Sequence, residues 1–172
     1  ASPRLRAQHV SKDGRTNWED GGISVAPPLG PGLGGAYLLA AEDGAGGAFV
    51  VWWIGSQVNG GEYRLRPYAQ RIGADGTLLW DPEGVALVDW VGIEEGPDLV
   101  RDGQDGIVVA WAGVPRDSGF WNRVVGMQRV GPNGMVRWGS RGVALAGWTL
   151  HPEVNLATDR LGGAFVSFTK NE

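Results

Sequence analysis

The sequence predicts an all-β fold made of repeated four-stranded antiparallel units. Three observations predict it. Glycine is abundant, at 30 of 172 residues, well above the roughly 7% of an average protein, and it shows no collagen-like period of three. A two-block motif recurs three times along the chain. No segment sustains the apolar period of an amphipathic helix. Dense glycine without a period means many tight turns, and many tight turns mean many short strands.

The first block begins at Gln8, Gln70 and Gln128, spaced by 62 and 58 residues. Each glutamine is followed by a turn pair, Asp13-Gly14, Asp75-Gly76 or Asn133-Gly134. Then comes a tryptophan, Trp18, Trp80 or Trp138, and then a glycine, Gly22, Gly84 or Gly142. Apolar residues close the block at Ile23, Val85 and Val143 and again at Val25, Leu87 and Leu145. The second block is out of phase with the first. Gly47-Ala48-Phe49-Val50-Val51-Trp52 matches Gly106-Ile107-Val108-Val109-Ala110-Trp111 and Gly163-Ala164-Phe165-Val166-Ser167-Phe168. An aspartate stands four residues before each leading glycine: Asp43, Asp102 and Asp159.

Each unit reads as four strands. The first is a short apolar run such as Asp98-Leu99-Val100, ending in an Asp/Gly turn. The second is the Val-, Phe- and Trp-rich run ending at Trp52, Trp111 or Phe168, which suits a pleated surface. The third carries the glutamine and closes in an Asp-Gly or Asn-Gly turn, the strongest short-range hairpin signal. The fourth runs from that turn through the tryptophan to the Gly-Val-Ala-Leu segment. Repeated four-stranded antiparallel units are the blades of a β-propeller.

The run Tyr68-Ala69-Gln70-Arg71-Ile72-Gly73-Ala74-Asp75-Gly76-Thr77-Leu78-Leu79-Trp80, followed by Gly84-Val85-Ala86-Leu87, resembles the blade repeat of secreted bacterial β-propeller proteins. The resemblance covers nearly the whole chain. It implies a propeller fold and an extracellular or periplasmic location, with a leader removed ahead of Ala1. It implies no substrate, because function lives in sites grafted on a fold.

The order of the pieces predicts one propeller domain over 1–172. Residues 1–26 supply strands three and four of a blade, 36–88 and 97–146 are complete blades, and 152–172 supply strands one and two. The two ends are complementary halves. Propellers have about 4–8 blades, so about three leave two arrangements open. Either the chain is a fragment of a longer ring, or two chains close a six-bladed ring by pairing each C-terminal half-blade with the other's N-terminal half-blade. The expected partner is therefore a second copy of this chain or another protein subunit.

Composition narrows the function. A net charge of −4 and a pI near 5.2 exclude the basic stripe of a nucleic-acid binder. No apolar run approaches the roughly 20 residues needed to cross a bilayer, so no membrane insertion is expected. The absence of cysteine removes disulfides, thiolate metal sites and thiol nucleophiles. No cofactor or metal is expected. Asp102 and Asp105 depart from the spacing of a calcium loop.

The expected function is a non-catalytic binding or scaffolding module acting in protein assembly. The alternative is sugar binding. The loops after the second strands and between units would bring Trp53, Trp121, Trp90 and Trp148 to one face, with Asp117 and Glu62 beside them. Aromatic rings stack on sugars and anchor protein contacts. Against that stands simple packing between blades. A glycosidase is the third reading, needing two acids in one cleft. His9 and His151 have no Ser or carboxylate partner at a spacing that implies a triad. Ser11 to Trp18 is similar to the sialidase Asp box but places its glycine one residue early. The repeat tryptophans are expected in the core, the glutamines on backbone groups between strands, and the aspartates as caps of their turns.

Overall fold

The computed structural model describes residues 4–28, 34–57, 63–89, 97–113, 124–147 and 153–169. Every helix or strand among them is a strand, and all pairing between strands is antiparallel. The strands fall into four sheets that follow one another along the chain.

The first sheet pairs β1 (Arg6–Ala7) with β2 (Ile23–Ser24). The second is a meander of β3 (Gly34–Glu42), β4 (Ala48–Gln57), β5 (Tyr63–Ile72) and β6 (Val85–Ala86). The third repeats it with β7 (Asp98–Arg101), β8 (Ile107–Gly113), β9 (Val124–Val130) and β10 (Val143–Gly147). The last pairs β11 (Val154–Thr158) with β12 (Ala164–Phe168). No strand of the first sheet pairs with one of the last.

Three apolar cores join the sheets in chain order. Strand side chains alternate between faces, and β4 is apolar at every position from Ala48 to Ile54 because both its faces are covered. Phe49, Val51 and Trp53 face the third sheet, where they meet Ile107, Val109 and Trp111. Val50 and Trp52 face the first sheet, meeting Leu5 and Val25. The same alternation on β8 sends Val108 and Ala110 toward Val154, with Leu156, Val166 and Phe168 packed against them. On β12 the pattern is half covered: Ala164, Val166 and Phe168 are partly buried while Phe165 and Ser167 are exposed.

The fourth strand is shorter than the sequence implies. Beyond the turn at Asp75-Gly76 a single bridge joins Ile72 to Leu78, and a second turn, closed by the Gly84 N–H to the Asp81 carbonyl at 2.8 Å, precedes the two residues of β6. Gly84 takes φ +86° there, a conformation glycine adopts without steric cost. The ladder stops because the Trp80 N–H bonds a side chain, Gln70, instead of a strand.

Candidate functional site

The repeated polar residues form one internal device. Gln70 is fully buried on β5. Its Oε1 accepts from the N–H groups of Arg71 and Trp80, each at 3.0 Å, and its Nε2 donates to the Asp81 carbonyl at 2.7 Å. Gln128 repeats this with Arg129, Trp138 and the Gly139 carbonyl, and also donates to the Leu87 carbonyl of the preceding sheet at 2.9 Å. Gln8 does the same with His9, Trp18 and the Glu19 carbonyl. A buried amide needs its donors and acceptors met, and here one side chain ties the third strand to the interrupted fourth.

The aspartates cap the turn between strands one and two. Asp43 Oδ1 accepts from Ala45 N–H at 2.8 Å and Gly47 N–H at 2.7 Å. Asp102 takes Gln104 and Gly106, and Asp159 takes Leu161 and Gly163. The second carboxylate oxygen reaches a strand-three arginine. Arg71 Nε and Nη2 lie 3.1 and 3.0 Å from Asp43 Oδ2, and Arg129 Nε lies 2.8 Å from Asp102 Oδ2. Burial alone would raise the Asp43 pKa. The two backbone N–H groups and the Arg71 guanidinium outweigh it and hold the carboxyl below its ordinary value. Arg71 also lies over the Phe49 ring, 5.3 Å from its centroid. Arg71 and Arg129 each follow the repeat glutamine directly. That recurrence is visible in the sequence, and it is the signal that identifies both as partners of the capping aspartates.

The tryptophans link sheet to sheet. Trp18 Nε1 donates to the Ala74 carbonyl of the second sheet at 3.0 Å, and Trp80 Nε1 donates to the Pro132 carbonyl of the third at 3.0 Å. Each ring lies against a turn glycine. A Cβ on Gly76 would stand 3.2 Å from Trp18, and one on Gly134 would stand 3.0 Å from Trp80.

At the two outer ends this device is incomplete. Asp159 Oδ2 has no donor among the described residues, and the residue that follows the glutamine of the first sheet is His9. The His9 Nδ1 lies 3.2 Å from Asn17 Nδ2, with the Trp18 ring at its edge. Three apolar positions that are fully buried elsewhere are open here. Val10 is 58% exposed where Ile72 and Val130 are at 0%. Phe165 is 70% exposed where Phe49 and Val108 are at 0%. Leu145 is 42% exposed where Leu87 and Val25 are at 0%. Beside Val10 runs a groove of about 560 Å³ between the first sheet and β3–β4, lined by Gln8, His9, Val10 and Trp18 on one wall and Ala40, Ala41 and Glu42 among others on the opposite wall. Glu42, its one lining carboxylate, bonds Arg101 at 2.8 Å. That hydrogen bond raises the arginine's pKa still further.

Of the residues expected to bind a ligand, Trp53 lies on β4, only 3% exposed, with the Tyr37 ring against its edge. Trp90, Trp121, Trp148, Asp117 and Glu62 lie outside the described residues, as does His151. Among the described residues no group of three or more His, Asp or Glu side chains converges as a metal site requires. No helix among them is long and apolar enough to cross a membrane. Comparison with protein-family models, curated proteins and solved structures gave no match to this chain.

Proposed function

We propose that this chain is a non-catalytic β-propeller module whose work is protein assembly, carried out through its two open half-sheets. The observation that carries the reading is the contrast at repeat positions. Val10, Leu145 and Phe165 are exposed where their equivalents inside the stack are fully buried. A large apolar side chain left in water at a position the repeat otherwise buries forfeits about 1.5–3 kcal/mol, and covering these residues recovers that energy. Open strand edges add unpaired N–H and C=O groups that favour another chain. The repeated aspartates, glutamines and arginines are bound to one another and to backbone, so they hold the blades in shape instead of acting on a substrate. The stack of four meander or half-meander sheets joined by separate cores fits successive blades.

The test is sedimentation of the tagged chain in an extract of cells that make it. Native chain runs well above 18.3 kDa, and the double variant Val10→Asp, Phe165→Asp falls to the monomer position. If native chain and variant both sediment as monomers, the assembly reading is wrong.

A further inference from the structure

We infer that the partner at these edges is a second copy of this chain, and that the β11–β12 half-sheet of one copy lies in the groove beside Val10 of the other. This rests on the assembly reading above and adds its occupant and register. What the groove lacks are strands one and two of a unit. What β12 lacks at its free edge are strands three and four. The chain carries both halves, and each presents the contacts that the other is missing.

The register follows from the two complete sheets. Val50 stands opposite Gln70 on β4–β5, and Val109 stands opposite Gln128 on β8–β9. The repeat then puts Val166 opposite Gln8 of the second copy, Phe165 opposite His9 and Ser167 opposite Ala7. A shift by one residue would turn every side chain to the wrong face, so burial fixes this pairing. Phe165 then enters the groove between His9 and Trp18, as Phe49 lies between Arg71 and Trp80, whose ring centroid is 5.5 Å away.

Two vacancies at the other side of the seam agree independently. Gly76 and Gly134 each carry the tryptophan of the preceding sheet, whereas a Cβ at Gly14 would meet nothing within 4 Å. Trp18 and Trp80 each donate to a carbonyl of the following turn, whereas Trp138 Nε1 has no acceptor among the described residues. Trp138 of one copy therefore fits on Gly14 of the other, with its indole N–H directed to the Lys12 carbonyl, the repeat equivalent of Ala74 and Pro132. The same docking covers Leu145. Finally, Asn17 donating to His9 Nδ1 leaves the Nε2–H of the ring as a donor, and the unmet Asp159 Oδ2 is the acceptor that this register sets near it. Two such seams, related by a twofold axis, pair every half-sheet and leave neither edge open.

The experiment uses purified chain and its lack of cysteine. Light scattering is expected to give twice 18.3 kDa. The variant carrying Ala7→Cys and Ser167→Cys is expected to form a covalent dimer on a non-reducing gel. The off-register variant carrying Ala7→Cys and Val166→Cys is expected not to, since its thiols point to opposite faces. A monomeric mass for pure native chain overturns the inference. So does a dimer in which the first variant does not cross-link, or in which both variants cross-link alike. Either result leaves the assembly reading standing where the chain still sediments as a large species in extract. Monomer behaviour in both settings removes the two together.

Discussion

The Trp80 ring lies on Gly134 of the next sheet, so close that a Cβ there would stand 3.0 Å from the indole Cγ. Two residues earlier in the same turn, the Pro132 carbonyl accepts from the same indole at 3.0 Å. Packing and hydrogen bonding thus register one sheet on the next at a single point, and Trp18 repeats the arrangement over Gly76 and Ala74.

The turn glycines test this contact with strain held constant. Gly14 and Gly134 have nearly the same backbone angle, φ +76° and +77°, so alanine at either costs about 1 kcal/mol of backbone strain. Only Gly134→Ala also presses on a tryptophan. Chemical denaturation at a dilution where the chain is monomeric should show Gly134→Ala as the more destabilising of the two. At concentrations where copies associate, Gly14→Ala should lose ground to match it.

Two indoles differ in what their nitrogens do. Trp80 Nε1 is bonded, whereas Trp52 Nε1 is buried without a partner. Trp80→Phe removes a part-buried bond to the carbonyl of the exposed Pro132, at a net cost of about 0.5–1.5 kcal/mol. Trp52→Phe removes no bond. Its cost is the cavity left beside Gly84, whose absent side chain makes room for the ring. Denaturation of both variants compares volume loss alone, at Trp52, with volume loss plus a lost bond, at Trp80. If Trp80→Phe is neutral, the indole bond contributes nothing.

Gln70 meets three backbone groups with one fully buried side chain. Gln70→Leu keeps the volume but leaves the Arg71 and Trp80 N–H groups and the Asp81 carbonyl unmet, a loss of about 3–5 kcal/mol when these costs are only partly relieved by water. Hydrogen exchange should show the Trp80 amide exchanging far faster in that variant. An unchanged Trp80 amide would mean that another acceptor takes over.

Acid should weaken the second sheet through Asp43. Its folded pKa is held below its ordinary 3.8, so the folded protein binds this proton less readily than the unfolded chain does. The stability contributed is therefore complete above about pH 4–5, shrinks as pH drops through the ordinary value, and is gone below the folded pKa. Asp43→Asn keeps an oxygen for the Ala45 and Gly47 N–H groups but has no charge for Arg71. It should be less stable than native protein at neutral pH, and the gap should close toward pH 3. Thermal unfolding from pH 7 to pH 3 gives both slopes, and parallel slopes would show that Asp43 does not titrate with unfolding.

Much of the fold could be read along the chain because its units repeat. The four-strand pattern appears as two complete sheets and two half-sheets, while the Asp-Gly and Asn-Gly turns, the capping aspartates and the strand-three glutamines each recur three times, and each meets a local demand of the backbone. The interrupted fourth strand was not legible. Val85-Ala86 looks like part of a longer run, and only the Gln70 side chain, which takes the Trp80 N–H, ends the ladder early. The role of Arg71 and Arg129 is harder to read, because the third equivalent position is His9 and the partner aspartates stand in the turn between strands one and two, 28 and 27 residues back. Trp53 illustrates the limit for sites. Its place at the end of an apolar strand fits either a binding face or a core, and neighbouring side chains, not the sequence, bury it.

The sequence by itself determined that this protein is all-β, where its turns fall and which residues recur to hold each sheet. These are local matters, set by side-chain alternation, turn geometry and the hydrogen bonds of a few neighbouring residues. The tertiary structure alone decided which apolar residues lie between sheets and which are left open at the ends. Val10 and Ile72, or Phe165 and Phe49, are alike in the sequence. They differ in burial because a residue's exposure depends on the sheet that stacks against it, and each of the two outer sheets has a neighbour on only one side.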